Sequence, residues 1–518
     1  KFEFLIPYLV AFAAGNFIYV AASDLIPQLH QGFSPKAAIS QSLAFLLGIL
    51  VIFLAIQVFT PLQLIDFPVI SISIMNDFSK YFRREIEDNI KVWLNEGYVV
   101  AIIGARQTGK TTLLKNLQEK EKALSFYYLF DDPILREKVS SDFYFLKKDI
   151  EGKLGGSLED YPGKIALFLD EVQKVPAVFE FIKILADNYK EKFKVLISGS
   201  SSLEIQKKGG ESLAGRIQYV YLFPLSLGEI LKAKVSNFSG SVIKSVVEGD
   251  LNLDELKRLQ APLYGYQQHL EVILEKILVW GSLPFIWQKQ EPFEKRDYLR
   301  SVVNTYLEKD IRGAGLVREL DAFLNLLEVF AFQVGGLLNL AKLSQAVQVS
   351  VNTLKNHQSI LKNTFVLNQL TPFVKHPAAR FVKSPKIYFY DVGVANFLAG
   401  RESYKNVLDS KASGGVFENV IIKSFEYFSL NQSRLVRTFF FRDYQGREID
   451  LVISKGEMVI PVEITQTSKI CSGKISSLSH FISTYTQVEK GIIIYTGELK
   501  KIEIKKRPVF CLPWWLWW

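Results

Sequence analysis

Tyr98-Val-Val-Ala-Ile-Ile-Gly104-Ala-Arg-Gln-Thr-Gly109-Lys110-Thr111-Thr112, followed by Leu113, Leu114 and Leu117 at helical spacing, sets a short apolar strand, a glycine loop and a helix in direct succession. In that order the residue types have a chemical reading. Gly104 and Gly109 let the backbone turn its N–H groups toward phosphate oxygens, and the helix behind them adds its positive end. Ala105, Arg106, Gln107, Thr108 and Thr112 complete the cradle. Lys110 is expected to reach the β- and γ-phosphates, and the Thr111 hydroxyl to ligate magnesium. The cofactors this predicts are ATP and Mg2+.

About 60 residues further on, Lys164-Ile-Ala-Leu-Phe-Leu-Asp170-Glu171 reads as a buried parallel strand ending in two carboxylates. Asp170 is expected to hold magnesium through water, and Glu171 to orient and deprotonate the attacking water. A third apolar strand, Lys194-Val-Leu-Ile-Ser198-Gly199-Ser200, is followed by Glu211-Ser-Leu-Ala-Gly-Arg216. Arg216 is either an arginine finger or sensor, since a guanidinium neutralises charge spread over phosphoryl oxygens, or an ordinary salt-bridged surface residue. The combination GARQTGKTT, LFLDEVQKVP, LISGSSS, SLAGRIQYVYLFPLSLGEI, WGSLP and YLEKDI, with KSPKIYFYDVGVANFLAG at Lys383 to Gly400, resembles prokaryotic AAA-type ATPases that carry a C-terminal domain of unknown function. The resemblance runs from about Met75 to the end of the chain. It implies ATP hydrolysis, a polar γ-phosphate sensor at Ser198, and a homo-oligomer in which sites are completed between subunits.

At 518 residues the chain is long enough for three or four units at about 150 residues each. Its two cysteines, Cys471 and Cys511, have no CxxC or histidine company, so neither a disulfide framework nor a zinc site is indicated. Two of the 62 basic and three of the 53 acidic residues fall in the first 74, so the remainder carries +10 of a total of +9. That excess is compatible with nucleic acid or an anionic membrane surface, without requiring either.

The first 60 residues read differently. Phe4 to Ala22 and Ala38 to Phe59 contain no Lys, Arg, Asp or Glu and each approaches the roughly 20 residues that span a bilayer, so they predict a transmembrane hairpin in contact with lipid. At Gly15 to Gln31 the segment resembles the C-terminal helices of ZIP-type metal transporters. Asp24 and His30 are then either metal ligands or polar residues at a helix end. Met75 opens an amphipathic helix, and the expectation is a transporter fragment joined to a cytoplasmic ATPase through residues 61–74, which would anchor that ATPase to the membrane.

From Leu338 the spacing predicts two short helices around Val347 to Ser350, a longer helix and a strand, the outline of a winged helix. Asn352, Lys355, Asn356 and His357 on its second helix could meet DNA, or the module could be a lid or protein contact. Beyond Gly414, Glu418, Asp450 and Glu463 resemble the acidic set of the PD-(D/E)xK nuclease-like fold, but Thr465 stands where that pattern has lysine, with Lys469 near by. No nuclease activity is expected. Trp514, Trp515, Trp517 and Trp518 read as an exposed or packing tail. The expected fold class is α/β: hairpin 1–60, junction 61–74, AAA-type P-loop domain with a parallel sheet 75–235, helical lid 236–335, winged helix 336–403, and a small α/β nuclease-like domain 404–518.

Overall fold

The computed structural model describes residues 81–518 apart from 190, 200–201, 236–240, 250, 313–315, 318–319, 375–382 and 433–435. The chain divides into Lys1–Asn76 and Asp77–Trp518, and every element below lies in the second unit. The expected hairpin and junction, with Asp24 and His30, lie outside the described residues. Among the described residues no helix is long and apolar enough to cross a membrane.

Five strands, β1 (Val99–Ile103), β2 (Leu124–Leu129), β3 (Ile165–Asp170), β4 (Phe193–Gly199) and β5 (Ile217–Tyr221), form a sheet of order β2-β3-β4-β1-β5 in which every pairing is parallel. All five residues of β1 are buried, because helices cover both faces. Alternation along the strand sorts them. Val99, Ala101 and Ile103 meet Phe179 and Ile182 of the helix Ala177–Asn188 on one face. Val100 and Ile102 meet Ile90 and the loop-helix residues Leu113, Leu114 and Leu117 on the other. Since the strands are parallel, the ends of β1, β3 and β4 open on one edge, with Ile102 beside Ser198 and Leu169 beside Ile197. That crevice is where an open parallel sheet binds ligands.

The helical region and the end of the chain share a second core. Leu227, Ile230 and Leu231 of the helix Leu227–Lys234 lie in the same buried cluster as Phe417, Phe425, Leu512 and Trp517. The helix assigned from sequence to the nucleotide domain therefore packs with the terminal domain, and the sheet domain's own core ends near Leu222. The tryptophan tail packs too: Trp514, Trp517 and Trp518 are buried, Trp517 Nε1 donates to Ile421 O at 3.1 Å, and Trp518 O accepts from Ile243 N at 3.0 Å.

In the region expected to be a winged helix lie the helices Leu340–Val347 and Val351–Asn363, capped by Asn339 and Ser350, and the antiparallel pair β6 (Leu367–Leu370) and β7 (Lys386–Phe389). The terminal domain is a six-stranded mixed sheet of β8 (Arg437–Arg442), β9 (Glu448–Lys455), β10 (Met458–Ile464), β11 (Gly491–Tyr495), β12 (Lys500–Ile504) and β13 (Arg507–Pro513), in the order β12-β13-β11-β10-β9-β8. The helix Ser413–Gln432 packs on one face and Ser472–Thr484 on the other.

Candidate functional site

The glycine loop leaves β1 and enters the helix Lys110–Lys120 through Gly109, whose φ of +94° belongs to the left-handed region that glycine tolerates. Gly104 has a different reason. A Cβ there would lie 2.1 Å from Leu222 O, so the residue is needed for the close approach of the loop to the end of β5. Lys110 is buried, and its Nζ donates to Gly104 O at 3.0 Å and Ala105 O at 2.8 Å, which bends the side chain back over the loop. Thr108 Oγ1 donates to Ala105 O at 2.9 Å, and Gln107, at φ +66°, accepts from Tyr298 OH at 3.2 Å. Arg106, Thr111 and Thr112 line the same cavity.

At the end of β3, Asp170 has no exposed surface and accepts from three hydroxyls: Thr111 Oγ1 at 2.6 Å, Tyr127 OH at 2.8 Å, and Ser198 Oγ. A carboxylate and a threonine hydroxyl together at the first turn of the loop helix are hard oxygen donors suited to magnesium. Ser198 sits at the sheet edge, as its strand requires, and its hydroxyl is spent on Asp170. Glu171 takes a left-handed conformation, φ +60°, which turns it out of the strand toward the cavity, and Gln173 Nε2 donates to its Oε2 at 2.6 Å. Next to it, an added Cβ on Gly199 would strike the Gln173 amide.

The cavity over the loop has a volume of about 400 Å³. Besides the loop and Glu171, Tyr81, Phe82 and Arg84 line it from the segment before the sheet, and Pro284, Phe285 and Gln288 from the helical region. Arg84 is buried and fully engaged. Its guanidinium donates to Thr108 O in the loop at 2.8 Å, to Phe223 O at 2.6 Å and to Glu229 at 3.0 Å. The Phe223 ring in turn stacks on Tyr427 of the terminal helix with centroids 4.3 Å apart. Arg84, Tyr127 and Gln173 were not identified from sequence, since their partners are fixed only by the fold.

The two motifs without evident chemistry, WGSLP and YDVGVANFLAG, explain each other. Asp391 caps the helix Val392–Leu398 and accepts from Ser282 N at 2.7 Å, while Asn396 Nδ2 donates to Leu278 O at 2.6 Å. They hold the turn that carries Pro284 and Phe285 to the cavity. Burial pushes the Asp391 carboxyl up to about 6, against the opposing pull of the N–H groups of Ser282, Val394, Gly393 and Leu283. An unfolded Asp titrates near 3.9, so this group's contribution is present in full below about pH 4 and is lost as pH rises through about 6. In Asp391→Asn, which keeps a capping oxygen, stability measured by urea unfolding should lose that fall between pH 4 and 6. The slope difference from the unaltered chain should amount to roughly 2 to 3 kcal/mol over the window. Equal slopes in the two proteins would remove the buried carboxyl from the account.

Three sequence expectations change here. Arg216 precedes β5, so it stands at the sheet end opposite the glycine loop, and its guanidinium pairs with Asp187 at 2.6 Å. Within one chain it lies away from the glycine loop and is a salt-bridged surface residue. His357 is buried against the Phe323 ring, with centroids 5.2 Å apart, and belongs to the core, whereas Asn352, Lys355 and Asn356 are exposed. The lysine at the terminal acidic set is Lys474, not the exposed Lys469: its Nζ lies 2.5 Å from Asp450 and 2.7 Å from Glu463. From β7, Lys386 Nζ lies 2.7 Å from Glu418 and 2.5 Å from Glu448. Lys386 and Lys474 thus pair with the acidic residues, and no group of carboxylates, histidines or cysteines that could hold a metal ion occurs among the described residues.

Residues 96–231 match the family model described as an AAA domain. Residues 272–405 and 413–516 match two families described as domains of unknown function, DUF8612 and DUF4143. An uncharacterized protein of Mycobacterium tuberculosis is 22% identical over 416 residues, covering 80% of each chain. One of Methanocaldococcus jannaschii is 23% identical over 492 residues, covering 88% of this chain and 99% of the relative. The Holliday junction branch migration motor RuvB of Thermotoga maritima is 16% identical, covers 57% of this chain and 93% of its own, and superposes with a TM-score of 0.24. Residues 96–231 are therefore an AAA-type, ATPase-like P-loop domain, and two further domains follow it along the chain.

Proposed function

We propose that the chain binds MgATP in the cavity over the glycine loop and hydrolyses it to ADP and phosphate. The observation that carries this is the pairing of Thr111 with Asp170 at 2.6 Å, with Glu171 next in the chain and turned toward the same cavity. Lys110 exchanges its loop carbonyls for the β- and γ-phosphates. Thr111, and Asp170 through water, hold the magnesium, which when bound neutralises charge on the phosphate oxygens. Glu171 accepts a proton from the attacking water as its oxygen bonds to the γ-phosphorus and the bond to the ADP oxygen breaks. Arg84 fixes Thr108 O, and with it the conformation that aims the loop N–H groups.

Arg216, remote from its own loop, acts on the site of a second copy. The test is phosphate release by the chain with MgATP across a range of protein concentrations. Activity per subunit should rise with concentration in the unaltered chain and stay at the low-concentration value in Arg216→Ala. No magnesium-dependent release at any concentration would reject the proposal, and a flat rate from a proven monomer would reject the role in trans.

A second reading is favoured by the exposed face Asn352, Lys355 and Asn356 on a capped helix: contact with DNA. Binding to duplex DNA should then weaken with salt and weaken further in Lys355→Ala; no binding at low salt would dismiss it. We assign no nuclease role to the terminal domain, where Lys386 and Lys474 neutralise the carboxylates.

A further inference from the structure

A second cavity, of about 470 Å³, lies where the sheet domain, the helix Val351–Asn363 and the terminal domain meet, and no residue of the glycine loop lines it. Its volume is within the roughly 300 to 1,000 Å³ of small-molecule sites. One wall holds a residue in an unusual place. The helix Val351–Asn363 ends in a Schellman turn, in which Val366 N donates to Leu361 O at 2.9 Å and Phe365 N to Lys362 O at 3.2 Å. Phe365 therefore occupies the position after the cap, with φ +56°, where glycine or asparagine ordinarily stands because a left-handed backbone strains a bulky side chain. The strain keeps an aromatic ring in the cavity wall. That ring meets Tyr221, Phe223 and Tyr390 only edge to face, at 71°, 78° and 83°, and among the described residues no ring is stacked on it. Glu426, buried on the helix Ser413–Gln432, accepts from Asn368 Nδ2 and from Lys423 Nζ, so its charge is balanced within the fold while its oxygens keep lone pairs for further donors. Gln369 of β6 adds an amide, and the exposed Lys362 and Arg437 make the rim cationic. An aromatic wall, an acceptor, an amide and a cationic rim together suit a flat heterocycle with N–H donors joined to an anion.

We propose that this cavity binds a free nucleoside monophosphate, with the base stacked on Phe365, its N–H groups directed to Glu426 and Gln369, and the phosphate at Lys362 and Arg437. Walls drawn from three parts of the chain favour a single nucleotide over a continuous strand. The site is separate from the glycine loop and does not depend on ATP hydrolysis there.

The test uses the full chain carrying Lys110→Ala, so that the glycine loop does not compete. GMP and AMP are titrated by calorimetry, with guanosine and adenosine as the same bases without phosphate. We expect saturable binding of at least one monophosphate at a single site, weaker binding of its nucleoside, and monophosphate affinity lowered about tenfold or more by Phe365→Gly. Glycine suits the left-handed turn, so this change removes the ring and leaves the backbone path available. The double variant Lys362→Gln, Arg437→Gln should lower monophosphate affinity about fivefold and leave the nucleoside unaffected. Both of its positions are exposed, so it reads the site even if Phe365→Gly fails to fold. The proposal is overturned by no saturable binding of either monophosphate, by unaltered affinity in a folded Phe365→Gly, or by a double variant that leaves monophosphate binding unchanged or weakens nucleoside and monophosphate alike. Binding of a single-stranded oligonucleotide with neither monophosphate bound would overturn it too.

Discussion

Replacing Glu171 by Gln is expected to leave MgATP binding within about twofold of the unaltered chain and to lower turnover by about 10² to 10⁴, the range associated with losing a positioned general base. The geometry makes this an unusually clean change. Glu171 follows the last residue of β3 in a left-handed conformation, and glutamine keeps its length and shape there. Gln173 Nε2, 2.6 Å from Glu171 Oε2, can donate to the carbonyl of the new side chain as it does to the carboxylate. Neither Asp170 nor Thr111 bonds to Glu171, so the magnesium ligands should keep their places. What disappears is the capacity to accept a proton from water. Single-turnover phosphate release, with nucleotide affinity measured separately, reads the two effects apart. A variant that turns over within a few-fold of the unaltered rate would show that Glu171 is not the base. Loss of binding and turnover together would show that it supports the pocket instead.

What was legible in the sequence follows from how local each interaction is. The glycine loop and the pair Asp170-Glu171 are contiguous motifs whose chemistry depends on neighbours along the chain. Five buried residues in β1 and six in β3 marked a parallel sheet covered on both faces. Arg84 carries no such mark, because its partners Thr108, Phe223 and Glu229 lie 24, 139 and 145 residues away. Tyr127 likewise reaches Asp170 only because β2 and β3 are adjacent and in register. The motifs WGSLP and YDVGVANFLAG could be seen but not explained, since each is the other's partner. Lys474 was missed in favour of Lys469 for a related reason: distance along the chain favoured the turn, whereas the helix Ser472–Thr484 crosses the sheet and presents its third residue to Asp450. His357 was legible and misread. Its spacing of three and four residues from Leu354 and Leu361 puts all three on one helix face, and all three are buried.

Lys110→Ala should have the largest effect on binding, lowering affinity for MgATP about 100-fold or more while leaving the nucleotide-free fold close to its original stability. Lys110 is buried, and in the nucleotide-free chain its ammonium donates to Gly104 O and Ala105 O. The loop itself remains braced by Arg84 at Thr108 O and by Thr108 Oγ1 at Ala105 O. The loss therefore falls on the ligand, whose β- and γ-phosphates no longer meet a cation in a site of low dielectric. Thermodynamic linkage supplies the measurement. At a nucleotide concentration of 100 times the dissociation constant, binding stabilises the folded chain by about 2.7 kcal/mol, and a 100-fold weaker variant retains only about 0.4 kcal/mol at the same concentration. Chemical denaturation with and without MgATP should show the full increment in the unaltered chain and in Glu171→Gln, and almost none in Lys110→Ala. Equal increments in all three would move nucleotide binding away from this loop, and with it the assignment of Thr111 and Asp170 to magnesium. A variant already unstable without nucleotide would instead make Lys110 a support of the loop rather than a ligand for phosphate.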